Sequence, residues 1–281
     1  MLHWCREREA IRLRRAAGEP APWTQDEILL RFRFCNLRRE DDRVTQWIRE
    51  CISEPYVYNP NLWFMLALAR HINWPPTIQE LMDLGLWPEK EYHSSDVVIA
   101  LRDRSARGEK VFTSAYMLNN RSVPAGVDKA QCVAGTVLSR LWDRHLEIAA
   151  YLETPWRTLR GTHELLSETN GIGPFMAYQI CVDMRWTRYL RTAPDINTWA
   201  AAGPGTRQGL NYLHGRSVHY GLNQTHALAE LLPLRAALAS EGIDLELSDC
   251  TNVLCETAKY LRVQRGEGRP RSQFRPGEGD F

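Results

Sequence analysis

Three carboxylate side chains stand where they could act as a general base. Asp195 follows a glycine-rich stretch, Glu256 belongs to a polar stripe near the C-terminus, and Asp42 lies in a run of charged residues. A carboxylate within hydrogen-bond reach of a reacting group can remove a proton from it. The accompanying positive charge is mostly guanidinium, because only four of the 35 basic residues are lysines. Arginine binds phosphate through two hydrogen bonds at once, so these residue types indicate acid–base chemistry beside a phosphorylated ligand.

A glycine turn, Asn170-Gly171-Ile172-Gly173-Pro174, separates two apolar segments that have helical spacing. Gly171 and Gly173 are expected to supply backbone angles with positive φ, and Pro174 suits the first position of a helix. The pattern predicts two helices joined by a hairpin whose amides face outward at a helix N-terminus. That geometry binds anions, and DNA phosphate is the expected anion. The alternative is an ordinary helix–turn–helix packing unit.

A second glycine turn is predicted to open another helix. It reads Gly203-Pro204-Gly205-Thr206-Arg207 and follows a segment, 197–199, that is predicted to begin a short helix. The first amides of the new helix would be free, and Arg207 adds a positive charge. Two such turns beside one pocket would suit a substrate with several phosphates.

The charged segment from Arg31 to Trp47 is predicted to be helical. Asn36 and Arg39 are three residues apart, and Arg39 and Arg43 are four apart. A helix would place all three on one face, with Asp42 beside them, and this face could hold a phosphorylated ligand. The alternative is a solvated charged surface, which is the usual interpretation of such a run.

The last predicted helix, 247–262, carries Asp249, Asn252, Glu256 and Lys259 at helical spacing. These four side chains form one polar stripe. If the stripe faces a pocket, it supplies a base and hydrogen-bond partners; otherwise it is an ordinary exposed face.

The chain ends in a tail rich in glycine, proline and arginine, which includes Arg269 and Arg271. Such a tail is typical of disorder, although its arginines could clamp a nucleic-acid backbone and become ordered on binding. We expect residues 1–264 to form one helical domain, which could have two lobes with the active-site cleft between them. Residues 265–281 form the basic tail.

The composition favours a soluble globular chain. Of its 281 residues, 44% are hydrophobic and 25% are charged, and the net charge is +1. No apolar run reaches the ~18 residues of a membrane span and no secretory signal begins the chain, so no membrane partner is expected. The fold class is predicted to be all-α. The long segment 128–152 is predicted to be one helix, and 110–118 is the only plausible strand.

The cysteines and common motifs exclude several function classes. The seven cysteines are scattered and form no CxxC pair, so neither a zinc ribbon nor a disulfide framework is supported, and a reducing compartment is the simplest expectation. No GxxxxGK phosphate loop and no HExxH metal motif occurs. An ATP-dependent kinase is therefore not expected, and no protein-bound metal is assigned.

The glycine hairpin resembles the helix-hairpin-helix of the DNA glycosylase superfamily. In that superfamily an aspartate at the mouth of the base pocket follows the hairpin, and here Asp195 follows Gly171 by 24 positions. Four longer motifs are FCNLRREDDRVTQW, NGIGPFMAYQICVD, PDINTWAAAGPGTRQGLN and LCETAKYLRVQRGEGRPR. Together, over about Trp4 to Arg271, they resemble the alpha-glutamyl/putrescinyl thymine pyrophosphorylase family, clade 2 type, whose members are called amino acid:DNA transferases. The chain is also similar to the helical domain of 5-hydroxymethyluracil DNA kinases.

This resemblance implies a bacteriophage protein with a helical, glycosylase-like fold, which would work in the cytoplasm of the infected bacterial host. The implied reaction is hypermodification of thymine. A 5-hydroxymethyluracil DNA kinase first places pyrophosphate on the base in double-stranded phage DNA. The transferase then lets the amine of a free amino acid, with glycine as one candidate, displace that pyrophosphate.

The resemblance also suggests roles for the residues singled out above. Asp195 is the first choice for the base that activates the amine, with Glu256 or Asp42 in reserve. Asn170, Gly171 and Gly173 would contact DNA. No cofactor is required, although the carbonyls of Gly171 and Gly173 could hold a monovalent cation. Stacking on a flipped base is assigned to an aromatic such as Tyr178, Trp199 or Tyr260. The expected substrate and pyrophosphate ligands are Asn36, Arg39, Arg43, Gln179, Gly203, Gly205, Thr206, Arg207, Lys259, Tyr260, Arg269 and Arg271.

Two alternatives remain open. A monofunctional glycosylase could use Asp195, whereas a glycosylase-lyase is disfavoured because Pro174 and Phe175 occupy the place of its catalytic lysine. A non-catalytic DNA-binding module would use the hairpin and tail alone.

Overall fold

The computed structural model describes residues 1–113, 126–270 and 273–274. The chain divides into two compact units. Unit 1 comprises Met1–Asp42 and Ile196–Phe281, and unit 2 comprises Arg43–Asp195. Each unit is described by itself, and the predicted boundary at residue 264 stays a prediction.

The described residues are helical, with no β-strand among them. Their one isolated bridge is antiparallel and joins Phe32 to Gln273. The all-α prediction is therefore confirmed, while the glycosylase-like arrangement of the helices stays a prediction. The α-helices are α1 (Leu2–Ala16), α2 (Glu27–Arg31), α3 (Arg43–Ile48), α4 (Leu62–Ile72), α5 (Pro75–Asp83), α6 (Ser94–Ala106), α7 (Ser139–Asp143), α8 (His145–Leu152), α9 (Leu159–Ser167), α10 (Pro174–Met184), α11 (Pro204–Leu213), α12 (Gln224–Ser240) and α13 (Leu247–Gln264).

Unit 1 is organised by the crossing of α11 and α13. Gly205 and Gly209 on α11 face α13, where an added Cβ would overlap the Cys255 Sγ and the Leu254 carbonyl oxygen, respectively. The Thr206 hydroxyl, which is buried, donates to the Thr251 carbonyl at 3.1 Å. Glycine therefore allows the two backbones to approach closely, and the hydroxyl bond fixes their register.

Unit 2 is built around α4, all of whose residues are buried. Arg70 on this helix is paired with Asp183 on α10, and both side chains are almost fully excluded from solvent. The carboxylate accepts from Nε and Nη2 of Arg70, and Nη1 donates to the Asn73 Oδ1 at 2.8 Å. A buried charge pair of this kind is retained only where its hydrogen bonds are satisfied, as they are here.

Three predicted elements differ from the structure. The segment 128–152 is not one α-helix, since a π-helix, Gln131–Leu138, precedes α7 and Arg144 interrupts the path into α8 with φ −100° and ψ 12°. Residues 197–198 form a turn and residue 199 is irregular, so no helix begins there. Of the predicted strand 110–118, residues 110–113 are irregular and 114–118 lie outside the described residues.

The described residues contain no helix with the length and apolar character that a bilayer crossing demands.

We predict that Asp183→Asn lowers the free energy of unfolding of the whole chain by about 3–5 kcal/mol, because it removes the carboxylate that pairs with the buried Arg70 guanidinium. Urea denaturation measures this loss. The control is Glu164→Gln, which removes an exposed ion pair with Arg160 in the same unit and should cost under about 0.5 kcal/mol. Equal losses for the two variants would contradict the assignment of Arg70–Asp183 as the core pair.

Candidate functional site

The predicted glycine hairpin is present between α9, which ends at Ser167, and α10, which begins at Pro174. Gly171 has φ +104°, but Gly173 has φ −76°. The expectation of positive φ is thus correct for Gly171 and wrong for Gly173, which serves as the N-cap in an extended conformation. Asn170, Gly171 and Gly173 are exposed, so the hairpin presents its backbone to solvent.

The hairpin is held in place from both sides. Ile172 is buried and its amide donates to the Thr169 carbonyl at 2.9 Å. The His163 Nε2 lies 3.0 Å from the Pro174 carbonyl oxygen. The Gly173 carbonyl accepts the Ala177 amide in the first turn of α10. One lone pair of that carbonyl is therefore already used, and the monovalent cation stays a prediction.

Asp195 accepts two main-chain hydrogen bonds at the start of α9. Its Oδ1 accepts from the Leu159 amide at 2.8 Å and its Oδ2 from the Arg160 amide at 2.9 Å. These bonds satisfy amides that a helix N-terminus leaves without intrahelical partners. Asp195 thus caps a helix, and a role as general base would depend on its remaining lone pairs. In the same unit, Gln179 is half-buried on α10, and Tyr178 is buried with no open ring face for a base.

The polar stripe of α13 faces the segment that precedes the short 3-10 helix Arg39–Asp41. The Asp249 Oδ1 accepts the Arg39 amide at 2.9 Å, and the Asn252 amide group donates to the Asn36 carbonyl at 3.1 Å. The Glu256 Oε2 accepts the Cys35 amide at 2.9 Å. The stripe is therefore a binding surface for the main chain of residues 35–39, and not an exposed face.

This arrangement corrects the prediction of one helical face in the charged segment. Residues 33–38 are not helical, and α3 begins only at Arg43, which belongs to unit 2 and is exposed. The Asn36 Oδ1 accepts from the Arg8 Nη2 at 2.8 Å, and its Nδ2 donates to the Asp41 carbonyl at 2.7 Å. Asn36 thus holds the segment together, and Arg39 is buried beneath it.

Glu256 and Lys259 form a largely buried ion pair one turn apart on α13. The Lys259 Nζ lies 2.7 Å from the Glu256 Oε2 and 4.5 Å from the centre of the Phe34 ring. Both described hydrogen bonds of this carboxylate end on Oε2, and among the described residues none reaches Oε1. Glu256 is therefore the predicted base whose free oxygen and cationic neighbour suit proton transfer.

Four predicted site residues influence the pKa of the Cys35 thiol. The Glu256 carboxylate, followed by burial, raises the pKa of the Cys35 thiol to about 12. Asp42 raises this pKa further, whereas Lys259 and Arg39 oppose the shift. Two carboxylates and two cations thus act on one position. The raised pKa keeps the thiol protonated, which makes Cys35 a poor nucleophile.

The second glycine turn has a packing role in unit 1. The Arg207 Nε donates to the Ala202 carbonyl at 2.8 Å, and its Nη1 donates to the Leu222 carbonyl at 2.7 Å. Gly205 and Thr206 contact α13 as described above, and Gly203 is the N-cap of α11. These contacts account for the motif without a ligand, so phosphate binding by Gly203, Gly205, Thr206 and Arg207 stays a prediction.

Two further predictions concern residues near the C-terminus, namely base stacking by Tyr260 and phosphate binding by Arg269 and Arg271. Tyr260 is buried, and its hydroxyl donates to the Asp26 Oδ2 at 2.5 Å. Its ring is not available to stack on a base, which corrects that prediction. Arg269 is exposed, and Arg271 lies outside the described residues. The chain returns at Phe274, whose amide donates to the Arg31 carbonyl at 2.9 Å.

Sequence reasoning missed Arg8, whose Nε donates to the Cys35 carbonyl at 3.1 Å and whose Nη2 contacts the Phe34 carbonyl at 3.2 Å. A signal was present, because Arg8 lies at helical spacing with Trp4 and Ile11 on the buried face of α1. A charged residue on such a face requires partners.

Comparison with known proteins shows that this chain is similar to the helical domain of a DNA-modifying enzyme. The family model described as "5-hmdU DNA kinase, helical domain" matches residues 1–269. The chain belongs to this family. It is 27% identical over 284 residues to the 5-hmdU DNA kinase of Bacillus phage SP10, covering 93% of this chain and 44% of that relative. The chain thus spans less than half the length of the curated relative, and no solved structure matches it.

We predict that Gly171→Ala destabilises unit 2 by about 1 kcal/mol or more, because alanine at positive φ is strained. An added Cβ would also lie 2.7 Å from the Val137 Cγ2. Gly173→Ala is the matched control, since its φ is negative and no atom lies within 4 Å of an added Cβ. Thermal unfolding of both variants measures the difference. A hairpin that tolerated both changes equally would refute the described conformation.

We predict that Asp249 makes stability fall as pH rises. Burial raises its pKa from 3.8 to about 6, against the lowering effect of the Arg39 amide. Between about pH 4 and 6 the folded carboxyl holds more protons than the unfolded one, so its contribution to the free energy of unfolding decreases with pH. A shift of this size corresponds to about 3 kcal/mol. Asp249→Asn should therefore gain stability relative to the parent chain from pH 4 to 7 in urea titrations; parallel profiles would contradict the assignment.

Proposed function

We propose that this protein is an amino acid:DNA transferase in phage thymidine hypermodification. It attaches an amino acid, through its amine, to 5-pyrophosphorylmethyl-deoxyuridine in double-stranded DNA and releases pyrophosphate. The observation that carries the proposal is the contact of the Glu256 carboxylate with both the Cys35 amide and the Lys259 ammonium. It occurs in a chain whose family is that of 5-hmdU DNA kinase helical domains, and the motif resemblance to the transferases supports the finer assignment.

The proposed chemistry needs a base and a place for the departing anion. The amine nitrogen attacks the exocyclic methylene carbon, a carbon–nitrogen bond forms, and the carbon–oxygen bond to pyrophosphate breaks. The pyrophosphate leaves with the bonding electron pair, and the amine proton passes to a carboxylate. We assign this carboxylate to Glu256, whose Oε1 is free of described hydrogen bonds. This choice reverses the order expected from the sequence, because both oxygens of Asp195 already cap α9.

Positive charge near the carboxylate would stabilise the leaving group. Lys259 lies beside Glu256. Arg269 is exposed past the end of α13, where it could contact phosphate. The exposed hairpin at Gly171 would contact the DNA backbone through its amides, and the base would have to leave the stack at a cost of a few kcal/mol.

The relative's printed name is that of a kinase, yet this chain carries no GxxxxGK phosphate loop. We therefore propose that the shared helical domain recognises the modified base, and that a separate 5-hydroxymethyluracil DNA kinase supplies the phosphorylated substrate. No redox or organic cofactor is needed for the displacement.

The test is transfer onto DNA that carries pyrophosphorylated 5-hydroxymethyluracil. The protein is incubated with this DNA and an amino acid panel, and the digested nucleosides are analysed by mass spectrometry. An added amino-acid mass is expected. Glu256→Gln should reduce the rate by about 10²–10⁴-fold, the usual contribution of a general base. Glu241→Gln, an exposed acid in unit 1 that pairs with Arg6, is the control and should retain full activity.

The same assay distinguishes the alternative functions and tests the alternative general bases. Release of free base with abasic sites would replace the proposal with a glycosylase, and DNA binding with neither product would leave a binding module. If Asp195→Asn or Asp42→Asn abolished transfer while Glu256→Gln retained it, the base would be reassigned to the affected residue.

A further inference from the structure

Unit 1 contains an open pocket with a volume of about 590 Å³ between the side of α1 and the connection that leads into α2. This volume falls within the ~300–1,000 Å³ typical of small-molecule sites. Neither the motifs nor the proposed chemistry uses this pocket. The charged and aromatic side chains in its lining are His3, Glu7, Arg14, Glu19, Trp23 and Asp26.

The acidic side of the pocket is held rigidly. The Asp26 Oδ1 accepts the amides of Ile28 and Leu29 at 2.9 and 3.0 Å, and its Oδ2 accepts the Tyr260 hydroxyl. The His3 Nε2 lies 3.3 Å from the same Oδ2. Burial opposes ionisation, but the hydrogen bonds from Tyr260, the two amides and His3 outweigh it and lower the pKa of Asp26. The Glu7 Oε2 accepts the Thr24 hydroxyl at 2.8 Å. Two oriented carboxylates thus create a negative end that suits an ammonium group.

The opposite charge lies two helical turns further along α1. Arg14 donates from Nη1 to the Trp23 carbonyl, which orients its guanidinium along the pocket wall. Glu7 and Arg14 are seven residues apart, so their Cα atoms are separated by about 10 Å along the helix axis. A ligand that contacts both carries an ammonium and a carboxylate, and an amino acid with a charged side chain can place these two groups further apart than glycine does.

The aromatic wall between the two ends is fixed as well. The Trp23 Nε1 donates to the Glu19 carbonyl at 2.6 Å, and the Phe274 ring packs edge-on at 6.3 Å between centroids. The guanidinium of Arg15 lies 5.0 Å from the centre of the same indole. Such an indole, held on two sides, can cover the apolar part of a bound side chain.

Two aromatic side chains connect the pocket to the proposed catalytic carboxylate. Tyr260, which donates to Asp26, packs against Phe34 at 6.1 Å between ring centroids. The Phe34 ring in turn makes a cation–π contact with the Lys259 ammonium, which pairs with Glu256. Tyr260 on α13 therefore contacts Asp26 in the pocket lining and, through Phe34, is linked to the proposed base on the same helix.

We propose that this pocket binds the free amino-acid donor, and that the donor has a charged side chain that places an ammonium and a carboxylate further apart than in glycine. The ammonium is held by Glu7 and Asp26, the carboxylate is held by Arg14, and Trp23 covers the carbon chain. The inference rests on the proposed transferase function, since it identifies the class of donor, but binding to the pocket does not require DNA.

Calorimetric titration of the full chain without DNA tests the pocket. The probes are L-glutamate, L-lysine and glycine, with propionate and propylamine as half-ligands. At least one larger amino acid should bind on the order of tenfold more tightly than glycine and than either half-ligand. Arg14→Gln and Glu7→Gln should each weaken binding by about tenfold. Arg6→Gln, on the same helix but outside the lining, should bind as the parent chain does.

The outcomes separate the pocket from the transferase proposal. Absence of binding by every amino acid, preference for glycine, or unchanged binding by both Arg14→Gln and Glu7→Gln would overturn the pocket. Transfer that proceeds with an unchanged KM for the amino acid in Arg14→Gln would overturn it too. Binding that follows the prediction, without any transfer to DNA, would leave the pocket standing and remove the transferase.

Discussion

The structure of unit 1 depends on hydrogen bonds between the polar face of one helix and the main chain of a non-helical segment. Residues 35–38 are neither in a helix nor in a strand, and Arg39 is the first residue of a short 3-10 helix, so their amides and carbonyls lack the partners of a longer regular element. Asp249, Asn252 and Glu256 supply these partners from three successive turns of α13. Buried polar groups must be paired in this way, because an unpaired one costs about 1–3 kcal/mol. Without these hydrogen bonds, the packing of α13 against residues 35–39 would leave buried polar groups unpaired and would be unstable.

That requirement also concentrates charge. Once α13 holds the segment, the carboxylate of Glu256 lies against residue 35 and the ammonium of Lys259 lies over Phe34. The same helix places the Tyr260 hydroxyl against Asp26, which lines the pocket beside α1. A structural constraint on the main chain thereby determines where acids, cations and aromatic rings meet. The proposed chemistry uses that geometry, and family membership supplies its DNA context.

The two glycine turns show that similar composition can serve different physical needs. Gly171 has a positive φ that other residues adopt only with strain, and it makes the hairpin possible. Gly205 does not have a positive φ. A side chain is excluded at this position because an added Cβ would overlap the Cys255 side chain. Both turns precede a helix that begins with proline. The exposed hairpin remains suited to an anion, while the second turn is used in packing.

The sequence alone determined the helical class, most helix positions and the hairpin, because apolar periodicity, proline and glycine act over a few residues. It also identified Glu256 and Lys259, whose spacing places them one turn apart on α13. Only the tertiary structure decided what each polar side chain contacts. Asp249, Asn252 and Glu256 bind main-chain atoms that lie 210, 216 and 221 positions away, and Asp195 caps a helix 36 positions earlier. Local spacing contains no information about partners so distant, because those contacts form only when the helices pack.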